Sequence, residues 1–160
     1  PRPRSRLLVA GGGEGWWAMS LQSLAFVGKE NEPLYIWAQG DEAQQLHLQF
    51  LCHSALDVVE ERQAATLSGR RISSSSDMFL GQLCPLEEYR IFGYVTNTSL
   101  KLLAVTGDAV NEQALKDLMK TAHRLFVRAV QNPFYTASTA VSSTRFQSSI
   151  RQAVAAFNAR

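Results

Sequence analysis

Residues 23–37 read Ser23-Leu24-Ala25-Phe26-Val27-Gly28-Lys29-Glu30-Asn31-Glu32-Pro33-Leu34-Tyr35-Ile36-Trp37. Ser23 to Val27 is almost wholly apolar, the composition of a strand covered on both faces. Gly28 to Pro33 is a polar turn. Leu34 to Trp37 is rich in aromatic and branched residues and reads as a second strand. Two strands with so short a link form an antiparallel hairpin. A strand that is apolar on both sides needs a layer above it and a layer below it.

The residues downstream supply those layers. Gly40-Asp41 ends the hairpin, and Asp41 is a natural N-cap. Leu48, Leu51, Cys52, Ala55, Leu56 and Val59 recur at helical spacing, so a long helix runs from about Ala43 to Thr66, roughly 35 Å at 1.5 Å per residue, with Gly69 as its stop. Arg70-Arg71-Ile72 and the serines 73–76 form a polar linker. It reads as a solvated loop in preference to a phosphorylation segment. Three strands follow, Met78–Cys84, Tyr89–Thr96 and Leu100–Thr106, the last two joined by the tight turn Asn97-Thr98-Ser99. Asn111 to Val130 is a second amphipathic helix, ended by Asn132-Pro133. A third begins near Ser143 and buries Phe146, Ile150, Val154 and Phe157. The order β-β-α-β-β-β-α-α predicts an α+β fold. Its two most apolar strands should lie side by side in the centre of a five-stranded antiparallel sheet, with one helix on one face and two on the other.

The 160 residues suffice for one domain with a substantial core. Of the 16 basic and 14 acidic residues, Arg2, Arg4, Arg6 and Glu14 precede Met19, leaving a neutral body of 13 against 13. A neutral body argues against nucleic-acid binding, which needs a basic stripe. Residues 1–18 are Arg-, Pro- and Gly-rich and predict a disordered extension, with Met19 opening the domain over 19–160. The apolar run Leu7–Ala10 is too short for a signal peptide or a membrane span. Cys52 and Cys84 both lie in apolar runs, which suits reduced buried thiols in a cytosolic protein.

Residues 52–61 concentrate reactive side chains: Cys52, His53, Ser54, Asp57, Glu60 and Glu61. On a helix, consecutive residues point about 100° apart, so Cys52, His53 and Ser54 fan out. Cys52 falls on the core stripe. His53 and Asp57 are i, i+4 neighbours that could pair, and Ser54 cannot share their face with both. No nucleophile elbow or helix-N-terminal cysteine is present. His47, His53 and His123 have no metal-ligand spacing, and Gly11-Gly12-Gly13 follows no strand and lacks the phosphate-loop ending. The expectation is therefore no catalysis, no metal and no cofactor, and a protein that binds other proteins. Tyr35 and Trp37, on what should be an edge strand, are interface candidates.

Several segments carry a resemblance. Lys29-Glu30-Asn31-Glu32-Pro33-Leu34-Tyr35-Ile36 is similar to the hairpin of the subunit 2-like proteins of TRAPP, the trafficking protein particle complex. Leu46 to Glu61, with Phe50-Leu51-Cys52-His53-Ser54-Ala55-Leu56-Asp57-Val58-Val59, resembles the first helix shared by these proteins and sedlin. Phe92-Gly93-Tyr94-Val95-Thr96-Asn97 resembles their fourth strand and turn. Asn132-Pro133-Phe134-Tyr135 and Ser142-Ser143-Thr144-Arg145-Phe146 resemble the link to the last helix and its start. The chain departs from the pattern in residues 1–18, in the serine linker, and in a Thr136–Val141 loop without proline. The resemblance implies a longin fold. It also implies a non-catalytic adaptor role in TRAPP, a tether and Rab exchange factor acting in ER-to-Golgi and intra-Golgi transport. The implied partners are other small core subunits and the large subunits, with a Rab GTPase reached indirectly. The implied location is cytoplasmic, peripheral at the Golgi and endoplasmic reticulum. Within the shared helix motif Asp57 carries over as an interface position, with His53 beside it. A contact of roughly 800 Å² per partner would suffice for stable association. The competing expectation is a longin domain of the SNARE or adaptor type; a SNARE calls for a heptad helix and a membrane anchor downstream, which this sequence does not show.

Overall fold

The computed structural model describes residues 20–68, 78–86 and 88–160. The extension 1–18, Met19, Gly69 and the serines 73–76 lie outside the described residues. The elements follow in the order β1 (Leu21–Val27), β2 (Pro33–Ala38), α1 (Glu42–Leu67), β3 (Phe79–Pro85), β4 (Arg90–Val95), β5 (Lys101–Thr106), α2 (Glu112–Val130) and α3 (Thr144–Asn158). This is the expected β-β-α-β-β-β-α-α order, with boundaries moved by a residue or two.

The five strands form one antiparallel sheet in the order β2-β1-β5-β4-β3. The two strands apolar on both faces, β1 and β5, are indeed central and paired, Phe26 opposite Leu102 and Leu24 opposite Ala104. Successive side chains alternate between faces. Leu24, Phe26, Leu102 and Ala104 therefore pack beneath α2 and α3, whereas Ala25, Val27, Leu103 and Val105 pack beneath α1. A one-residue slip would exchange the two sets, so two differently shaped helical layers hold the register.

Each helix starts on a cap legible in the sequence. The Asp41 carboxylate accepts from the Gln44 amide at 2.8 Å, Asn111 accepts from the amides of Gln113 and Ala114, and Ser143 accepts from that of Phe146. In the β1–β2 turn the Gly28 amide donates to the Glu32 carbonyl, and Asn31 takes φ 63°, a left-handed conformation that asparagine tolerates. Gly81, at φ 74° beside an irregularity in the β3–β4 pairing, lets β3 bulge without the strain a side chain would bring there.

Candidate protein-interaction site

The core stripe of α1 consists of Leu48, Leu51, Cys52, Ala55, Leu56 and Val59, all buried against the sheet. That stripe fixes which side of the 26-residue helix looks outward. Two further contacts hold its C-terminal half. The Arg62 guanidinium donates to the Leu80 carbonyl at 2.9 Å. Lys101, only 3 % exposed, donates from Nζ to Asn31 Oδ1 at 2.5 Å and lies 3.7 Å from Glu60 Oε1. Asn31 Nδ2 in turn donates to the same Glu60 oxygen at 2.7 Å. The Asn31 bond, followed by the Lys101 charge, holds the Glu60 carboxyl below the usual carboxylate range. One buried ammonium thus ties β5, the β1–β2 turn and α1 together.

On the outward side Leu46, Phe50, His53 and Asp57 are all exposed. Their spacing of 4, 3 and 4 residues aligns them along one face of the helix. Leu46 is 68 % exposed and Phe50 66 %, so the helix carries apolar side chains on the side turned from its own core. The carboxylates of α1 (Glu42, Asp57, Glu60 and Glu61) are exposed as well. Among the described residues no hydrogen bond or ion pair joins His53 to Asp57, so the local pairing allowed by their spacing is not made, and both polar ends face outward. Ser54 donates to the Phe50 carbonyl one turn back at 3.0 Å.

The remaining two candidates sit elsewhere. Tyr35 and Trp37 lie on the edge strand β2, as expected, but their side chains are half-buried and pack with the α2/α3 core. The Tyr35 ring meets Phe146 edge-on at 5.2 Å and Phe26 at 6.1 Å, and burial pushes its hydroxyl pKa up. Part of the β2 edge is occupied, because the Val141 amide donates to the Leu34 carbonyl at 2.8 Å. The four candidates therefore form two groups on opposite faces of the sheet: His53 and Asp57 outside α1, Tyr35 and Trp37 within the opposite core. Sequence reasoning missed Leu46 and Phe50. Their signal was present, two apolar residues one turn apart and out of phase with the core stripe.

Reactive chemistry is not assembled around Cys52. Its Sγ lies 4.0 Å from Ser23 Oγ, and burial pushes the thiol up from 9.0 to about 11, so it stays protonated and inert near neutral pH. Among the described residues no three of His, Cys, Asp and Glu gather closely enough to hold a metal ion, and no helix is long and apolar enough to cross a membrane.

The family model for sedlin matches residues 26–156, from the end of β1 nearly to the end of α3. The chain belongs to the sedlin family. Similar proteins include the trafficking protein particle complex subunit 2-like protein of Dictyostelium discoideum, 34 % identical over 77 % of this chain and 88 % of that protein. Its mouse counterpart is 30 % identical over 79 % and 91 %, and trafficking protein particle complex subunit 20 of Saccharomyces cerevisiae is 22 % identical over 81 % and 94 %. The sedlin match takes in all of α1, so the outward row of Leu46, Phe50, His53 and Asp57 lies within the family region.

Proposed function

We propose that this sedlin-family chain is a non-catalytic adaptor subunit of a TRAPP complex, which tethers vesicles and promotes Rab nucleotide exchange in ER-to-Golgi and intra-Golgi transport. It works by docking its α1 outer face on neighbouring subunits. The observation that carries this reading is the row of Leu46, Phe50, His53 and Asp57 on a helix whose other side is already fully used by the core. Exposed large apolar residues rimmed by polar groups mark protein interaction surfaces. The names of its relatives point to the assembly. In this reading the aromatic and aliphatic side chains supply the desolvated centre of the contact, and His53, Asp57 and the flanking glutamates set its orientation. Tyr35 and Trp37 support the β2 edge from within. The domain reaches Rab and membrane through its partners, and no bond is made or broken in its own body.

The test is affinity purification of the tagged chain followed by mass spectrometry. The wild type should bring down TRAPP subunits. Asp57→Tyr and the double variant Leu46→Ser/Phe50→Ser should remain folded and recover several-fold less. Undiminished recovery by the double variant would remove the α1 face from the interface, and recovery of SNARE or coat-adaptor proteins instead of TRAPP subunits would replace the assembly.

A further inference from the structure

The opposite side of the molecule carries a second surface of different chemistry. From Leu118 to Arg160 the chain contains no Asp or Glu, while Lys120, Arg124, Arg128, Arg145, Arg151 and Arg160 are cationic. This stretch comprises most of α2, the connecting loop and all of α3. Between the end of α2 and the start of α3 lies a groove of about 470 Å³, within the size range of ligand pockets, about 300–1,000 Å³. Leu125, Ala129 and Phe146 supply its apolar lining, and Arg128 and Arg145 its charges. No carboxylate lines it. Both arginines are exposed, and among the described residues neither makes an ion pair. The connecting loop does meet one carboxylate, Glu32 at Ser138, on the β1–β2 turn and outside the groove lining.

We propose that this groove docks an acidic peptide segment of a partner protein, with Arg128 and Arg145 taking its carboxylates and Leu125, Ala129 and Phe146 receiving an apolar side chain between them. The arginines sit on two different helices that approach each other at the groove, so one extended segment can meet both. Guanidinium groups bind carboxylates through paired, charge-assisted hydrogen bonds. With no carboxylate in the groove lining or in the 43 consecutive residues 118–160, these cations have no ion-pair partner among the described residues. The concave shape selects a peptide over a lipid surface. Electrostatic attachment to a bilayer draws on clusters of cations spread over an open, accessible surface, whereas Arg128 and Arg145 meet at a groove lined by Leu125, Ala129 and Phe146.

The experiment uses the full chain and a fluorescein-labelled peptide of about a dozen residues, glutamates around a central leucine, read by fluorescence anisotropy. The expected result is salt-sensitive binding that a glutamine-for-glutamate peptide does not show. Arg128→Gln/Arg145→Gln should weaken it roughly tenfold or more, while the charge-matched Lys29→Gln/Lys120→Gln stays within about threefold of wild type. Ser149→Glu, which sets a carboxylate of the chain's own in the groove, should weaken it comparably. Thermal melts check that each variant is folded. The proposal is overturned if wild type does not bind the peptide, or if the arginine double variant binds as wild type does. It is also overturned, in favour of a membrane contact, if phosphatidylserine vesicles sediment the chain through Arg128 and Arg145 while the peptide is ignored.

Discussion

The two helical layers cover the same sheet, yet their outer faces are opposites. The face of α1 carries Leu46 and Phe50 in the open with the carboxylates of Asp57, Glu60 and Glu61 nearby. Past the first turns of α2, with Glu112 and Asp117, the α2/α3 face has no carboxylate in residues 118–160 and gathers arginines around a groove. Overall neutrality of the body conceals this division. A neutral count argued against a bulk polyanion partner, but it could not show that the arginines after Asp117 gather on the side of the sheet away from α1. The difference teaches that one sheet can carry two outer faces of unlike chemistry, an apolar one framed by acid and a cationic one with an apolar lining; on the function proposed above, each would take a different partner.

The sharpest break in the comparison is between inner and outer sides of each layer. Phe26 is fully buried beneath α2 and α3 and meets Phe126 at 5.7 Å and Phe146 at 5.5 Å. Phe26→Ala should cost about 3–5 kcal/mol in urea unfolding, the largest effect anticipated here. Leu48→Ala, on the inner stripe of α1, should cost about 2–4 kcal/mol. If either change were nearly neutral, the layer concerned would not be sealed against the sheet.

Cys52 gives a pH-dependent version of the same test. Its thiol is raised to about 11 in the fold against 9.0 unfolded. The folded state therefore holds the proton longer. The contribution is complete below pH 9 and is lost as pH rises through about 9 to 11. Relative to Cys52→Ala, wild type should lose about 2 kcal/mol of unfolding free energy between pH 8 and pH 10.5. A constant difference would mean that the thiol is solvated and the α1 layer open at that point.

Lys101→Met addresses the tie between the turn and α1. The substitution keeps an apolar stem in the buried site but removes the donor to Asn31 Oδ1, and should cost about 1–2 kcal/mol. The Glu60 carboxyl is held low by Asn31 and Lys101, so its contribution is present above the unfolded carboxylate value and fades as pH falls through the lower folded one. Acid titration of wild type and Lys101→Met should separate in that window.

Most of the fold was legible because each layer obeys one period. The all-apolar runs of β1 and β5 demanded a central, doubly covered position, and Asp41, Asn111 and Ser143 marked helix starts to within a residue. The candidate site was legible only in part. Asp57 and His53 could be placed on a helix, but the stripe Leu48–Val59 drew attention inward, and Leu46 and Phe50 make sense only once it is known which side the sheet takes. Tyr35 and Trp37 were correctly set on an edge strand, yet the hairpin pattern does not say that the Tyr35 ring turns toward Phe146, 111 residues on, or that Trp37 packs against the same core. The groove was not visible at all, since Leu125 and Arg145 are brought together by the return of the chain through the 131–143 loop.

The smallest stability effect belongs to the outer face of α1, and it separates a binding surface from a structural one. A side chain as exposed as Phe50, at 66 %, meets water in the folded state almost as much as in the unfolded state, so removing it changes both states alike. Phe50→Ser should alter unfolding free energy by no more than about 0.5 kcal/mol. Leu46→Ser should behave the same way, and both should leave anisotropy binding of the acidic peptide unchanged, since the groove lies across the sheet. The same two substitutions should nonetheless reduce recovery of partner subunits. Stability falling toward the value of Leu48→Ala would mean that α1 buries both its sides within the monomer, and the contrast between the two faces would fail at its root.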